Sequence, residues 1–165
     1  LSGVQKSRIV FENLVKDKLF DVVGTSGWFT YKEGGTSYAA YVTDNTSQKL
    51  VIDDTFLGKA PSGAKIRMVI ATGDVEVRTD FEGTILIKGK VTVSPSKANI
   101  TLCKNQNQLA KLIAGGTCQK SGKDYLLKDY LTDSEKYLGR EVEMVSSDNR
   151  IRLEQLVVYT NWSKK

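Results

Sequence analysis

The sequence predicts a mainly β fold with flanking helices, an α+β chain built around a short stacked β-solenoid of two to three coils. Three observations predict it. An apolar, glycine-punctuated pattern at 68–77 recurs sixteen residues later at 84–93. Gly-Gly between two aromatic, β-branched runs marks a hairpin ahead of that repeat. Helical periodicity stands on either side of both. The expected organisation is one domain over 1–165, with an N-terminal helix over 1–24, a hairpin and solenoid core over 27–104, and a helical C-terminal part over 105–165. A chain of 165 residues, 40% hydrophobic and 26% charged, can bury such a core.

The first element is an amphipathic helix across 4–23. Val10, Phe11, Leu14, Val15, Leu19, Phe20 and Val23 recur at steps of three and four, and Gly24 is a natural stop. The hairpin follows, turning at Glu33-Gly34-Gly35-Thr36. Trp28, Tyr31, Tyr38 and Tyr41 lie on its two arms. They are expected to pack across the strands, and in an alternative reading they form a ligand-binding aromatic strip. Lys49-Leu50-Val51-Ile52 is a third short strand, ending at Asp53-Asp54. Residues 57–64 form a connecting loop around Pro61 and Gly63.

In the repeat, Gly73 matches Gly89, Val75 matches Val91, and Val77 matches Val93. Each unit reads as strand, corner, strand. The glycines are assigned to the corners, and the alternating valines to a stacked interior. A third copy is expected to begin at Ile100-Thr101-Leu102-Cys103. Residues 105–116 read as a short helix ended by Gly115-Gly116. Part of 123–138 reads as helix and 141–145 as a strand. The last segment reads as helix up to Asn161, completing a helical cap. Cys103 and Cys118, the two cysteines, are either reduced thiols or a disulfide closing a short loop.

Composition narrows the chemistry. The chain contains no histidine, which removes the commonest general base and the Ser/His and Cys/His nucleophile pairs. No calcium-loop or P-loop spacing is present, so no catalytic, cofactor or metal residues are assigned. The net charge of +5 comes from 24 basic and 19 acidic residues, interspersed without a long run of one sign. Nucleic acid is therefore not an expected partner. No hydrophobic run approaches the roughly 20 residues of a spanning helix. The chain opens on Leu1, which suggests a fragment or processed product. Membrane attachment is expected only through a removed N-terminal anchor.

Two stretches carry a family resemblance. Val69-Ile70-Ala71-Thr72-Gly73-Asp74-Val75-Glu76-Val77 continues into Phe81-Glu82-Gly83-Thr84-Ile85-Leu86-Ile87-Lys88-Gly89-Lys90-Val91. The chain closes on Leu156-Val157-Val158-Tyr159-Thr160-Asn161-Trp162-Ser163-Lys164. These lines resemble the C-terminal β-solenoid region of Gram-positive surface proteins of type IV pilus-like (PilX-type) assemblies. A weaker similarity runs to bactofilin-like polymer-forming repeats. The resemblance implies a stacked β architecture on a bacterial envelope or extracellular protein. It also implies envelope or pilus-like partners, or self-association, and no catalytic residues. The function expected is a non-catalytic structural or assembly domain acting through protein–protein contacts. The alternative is a carbohydrate-binding or carbohydrate-cleaving module using the aromatic strip with Asp74 and Glu76. On the structural reading Asp74 and Glu76 point outward into solvent, so Glu76→Ala is expected to be nearly silent, whereas Val77→Asp unfolds the domain.

Overall fold

The computed structural model describes residues 11, 15, 16, 18–94, 102, 103, 106–132 and 156–159. A short helix α1 (Leu19–Val23) leads into the hairpin β1 (Ser26–Glu33) and β2 (Thr36–Thr43). Glu33 pairs with Thr36, leaving a two-residue turn in which Gly34 (φ 57°) and Gly35 (φ 84°) are both left-handed. That geometry matches the natural strand twist and explains the Gly-Gly. Strand β3 (Leu50–Ile52) and a one-turn helix α2 (Asp54–Leu57) follow. The Asp53 carboxylate accepts from Phe56 N–H at 2.8 Å and caps α2.

The repeat supplies β4 (Lys65–Ala71), β5 (Val75–Val77), β6 (Phe81–Glu82), β7 (Thr84–Ile87) and β8 (Val91–Val93). The offset of sixteen is the pairing register. Val69, Ile70 and Ala71 lie beside Ile85, Leu86 and Ile87, and Val75 and Val77 beside Val91 and Val93, all in parallel. After β9 (Leu102–Cys103) come α3 (Gln106–Gly115), the antiparallel pair β10 (Thr117–Lys120) and β11 (Lys123–Leu126), and β12 (Leu156–Tyr159).

These strands do not build the expected solenoid. They form a seven-stranded mixed sheet of order β11-β10-β1-β2-β4-β7-β12, a three-stranded parallel sheet β3-β5-β8, and a two-stranded parallel sheet β6-β9. Antiparallel strands make up one side of the large sheet, and among the described residues no sheet closes on itself. The expected third copy does not extend the register. Leu102 and Cys103 pair with Phe81 and Glu82, while β12 takes the place beside β7, with Val157 opposite Ile85.

Two cores flank the large sheet. Phe29, Val42, Met68, Ile70 and Leu86 face α1 and α3, meeting Leu19, Leu109 and Leu112. Val69, Ala71, Ile85 and Ile87 face the three-stranded sheet, meeting Ile52, Val75, Val77 and Val91. The unbroken apolar triplets follow from this burial on both faces.

The expected helices at the ends also change. The N-terminal helix is interrupted. Val15 bridges Leu131, and Lys16 N–H donates to Tyr130 C=O at 3.0 Å. Phe11, Val15 and Leu19 still reach the core. In the C-terminal part the helix expected over 105–116 is α3, but strands stand at other described positions where helix was expected. Residues 123–126 are β11, Leu127–Tyr130 form a 3-10 turn, and Leu156–Tyr159 are β12. The strand reading of 141–145 lies outside the described residues. No described helix is long and apolar enough to cross a membrane.

Candidate binding cleft

Alternation along the hairpin divides the four aromatics. Trp28 and Tyr31 are three residues apart on one strand, so they face opposite sides of the sheet. Tyr31 pairs with Tyr38 on the α3 side. There Gly115 closes against the Tyr31 ring, and Gln108 Nε2 donates to the Tyr38 hydroxyl at 3.3 Å. These two tyrosines hold α3 on the sheet. The expected four-membered strip is therefore corrected to two cross-strand pairs.

Trp28 and Tyr41 pair on the other face, with ring centroids 4.6 Å apart and planes tilted by 49°. Phe56, delivered by the Asp53-capped α2, completes the group. Its ring lies 5.1 Å from Tyr41 and 6.2 Å from Trp28. Phe56 is buried, whereas Trp28 and Tyr41 remain half-buried. The three rings line a cleft of about 570 Å³ together with Ser26, Asn45, Gln48, Lys49, Thr55 and Lys59.

One wall of the cleft is the loop between β2 and β3, which is firmly pinned. Asp44 Oδ1 accepts from the Thr72 hydroxyl at 2.6 Å, and the same hydroxyl accepts from Asn45 N–H at 3.0 Å. The Asn45 side chain accepts from Gly73 N–H at 2.7 Å and donates to Asp74 C=O at 2.9 Å. Asp74 repeats the device one layer on, its carboxylate accepting from Lys90 N–H at 2.9 Å.

This stacking explains the repeat glycines differently from the sequence reading. Neither Gly73 nor Gly89 is left-handed. A Cβ on Gly73 would lie 2.0 Å from Asn45 O, and one on Gly89 would lie 2.4 Å from Gly73 O. The glycines are required by close approach of the backbone between layers.

Glu76 also departs from expectation, because it is buried, at 6% exposure. On its face of the small sheet it stands between Val51 and Thr92. Lys49 Nζ lies 2.6 Å from one carboxylate oxygen, and Arg78 pairs with the other. The Arg78 hydrogen bond outweighs desolvation, and with help from Lys49 it holds the Glu76 carboxyl below its ordinary value. Asp74 is exposed, as expected. The supposed acid/base couple is thus one ion-paired carboxylate and one that bonds a backbone amide.

Val75, Val77 and Val91 are buried between the sheets, while Val93 is only half-buried. Cys118, on β10, is a half-buried free thiol, and burial pushes its pKa up. The Cys103 side chain lies outside the described residues, and with it the geometry of the disulfide the sequence allows. No group of three or more cysteines and carboxylates is placed to hold a metal among the described residues.

Sequence reasoning missed Asn45, Phe56 and Lys49. A capping Asp53 three residues before Phe56 was a usable signal for the ring's placement. The long-range partners of Asn45 and Lys49 left none. No protein-family model matches the chain, and neither the curated proteins nor the solved structures yield a match.

Proposed function

We propose that this chain is a non-catalytic assembly domain of a bacterial cell-surface, pilus-like protein, acting through protein–protein contacts. The observation that carries the reading is the end of the three-stranded sheet. Ile52 and Val77 are fully buried in successive layers, yet their counterpart Val93 on the edge strand β8 is half-buried. Among the described residues β8 pairs on one side only. An edge of this kind offers backbone donors and acceptors together with apolar side chains, the features used in strand addition.

The electrostatics favour contact over catalysis. A carboxylic general acid works with a raised pKa, whereas Arg78 and Lys49 hold Glu76 ionised. The partner is another envelope protein or a second copy of the chain. A photo-crosslinking residue at Thr92, in cells that display the protein, should yield a discrete protein adduct that Val93→Lys abolishes. Absence of any adduct, or an adduct indifferent to Val93→Lys, would remove the basis for the reading.

A further inference from the structure

We infer that the cleft over Trp28, Tyr41 and Phe56 is a binding site for an uncharged pyranose sugar, received as a single ring or chain end. The site lies between β1, α2 and the pinned β2–β3 loop. It is independent of the β8 edge that carries the assembly reading.

The floor and the rim ask for different chemistry. The floor is aromatic, and the half-buried Trp28 and Tyr41 present ring carbon to the cleft. The face of a pyranose carries C–H bonds that match the negative face of an aromatic ring. The rim holds Ser26, Gln48, Thr55 and Lys59, none of which spends its side chain on an ion pair or hydrogen bond among the described residues. They supply the free donors and acceptors that a ring of hydroxyls requires. All four are exposed, so they stay solvated until ligand hydroxyls take the place of water as hydrogen-bond partners.

Charge selects the uncharged class. Lys49 reaches the rim but is held 2.6 Å from Glu76, a carboxylate it shares with Arg78. The remaining charges, Lys59 and Asp53, are of opposite sign. Shape selects the length. Rings tilted by 49° do not make the flat platform along which several sugars could lie. A cleft of about 570 Å³ falls within the usual range for small-ligand sites, roughly 300–1,000 Å³. The Asn45 contacts to Gly73 and Asp74 hold the wall in place before a ligand arrives, which lowers the ordering cost of binding.

The test is an array of neutral and acidic oligosaccharides, probed with the parent chain and three variants. Trp28→Ala removes the floor. Thr55→Trp fills the cleft from an exposed position where folding is not at stake. Tyr31→Ala alters the opposite face. The parent should retain at least one neutral oligosaccharide through its terminal ring. Trp28→Ala and Thr55→Trp should each weaken it by about tenfold or more, and Tyr31→Ala should leave it unchanged. Three results overturn the inference: no neutral glycan bound, binding that survives Thr55→Trp, or binding confined to acidic glycans and lost steeply with salt. Crosslinking from Thr92 should continue in Thr55→Trp, so failure of the sugar site and failure of the assembly reading are told apart.

Discussion

At Gly73 and Glu76, neighbours in sequence, the structure sets two different physical demands. Gly73 has no room for a Cβ, because Asn45 backbone oxygen would lie 2.0 Å from it. Gly73→Ala must push the β2–β3 loop off the corner and strain the Asn45 bonds. We expect a loss of about 2–3 kcal/mol in urea unfolding, with Gly89→Ala similar in sign. Gly58 serves as the control, since its φ is −79° and a Cβ there meets only ordinary contacts, Thr55 O at 3.5 Å and Asp54 O at 3.6 Å. Glu76→Ala, silent on the sequence reading, should instead cost about 1–2 kcal/mol. It removes the shared anion of Lys49 and Arg78, although both cations can return to water. The pH dependence has a definite sign. The folded pKa of Glu76 lies below its unfolded value of about 4.3. Its contribution is therefore fully present above that value and fades as pH falls through the lower folded one. Acid titration of the parent and Glu76→Ala should bring their stabilities together at low pH. A gap that stays constant down to pH 2 would show that the ion pairs are not its source.

Among the elements, legibility followed the range of the causes. The hairpin was readable because its turn chemistry and its alternation are local. The same locality makes its turn improvable. Asn at the first left-handed position tolerates that conformation and narrows the unfolded ensemble. Gly34→Asn should raise stability by about 0.4–1 kcal/mol, seen as a higher thermal midpoint, with tryptophan fluorescence unchanged in the folded state. The repeat was readable as a register, since Val75 does lie beside Val91 and Val77 beside Val93. What the repeat joins was not readable. Leu156–Tyr159 has helical spacing with Leu153, yet β7 presents an edge and the segment pairs there as a strand. Tertiary pairing overrode periodicity in that segment. The four aromatics show the opposite case: counting by two along β1 already separates Trp28 from Tyr31. The cleft itself was half legible, because its floor comes from the hairpin while its wall depends on Asn45 reaching Gly73 from 28 residues away.

Across the whole molecule, the seven-stranded sheet is the shared wall of two cores. Met68, Ile70 and Leu86 look one way, and Val69, Ala71, Ile85 and Ile87 the other. The same short strands therefore serve both layers, and neither core can lose its wall without the other. Val77 tests one side. It is fully buried between the small sheet and the large one, so Val77→Asp places a carboxylate within an apolar cluster and out of reach of solvent. That variant should be unfolded at room temperature. Leu112 tests the other side from α3, also with no exposure. Leu112→Ala should cost about 2–5 kcal/mol and leave a folded, measurable protein. The decisive reading is how it melts. If the sheet couples the cores, far-UV circular dichroism and, in a Trp162→Phe background, the fluorescence of Trp28, on the face away from Leu112, should move to a lower temperature together as one transition. A variant whose secondary structure melts early while the Trp28 signal keeps the parent midpoint would show two independent layers, and the shared-wall account would fail.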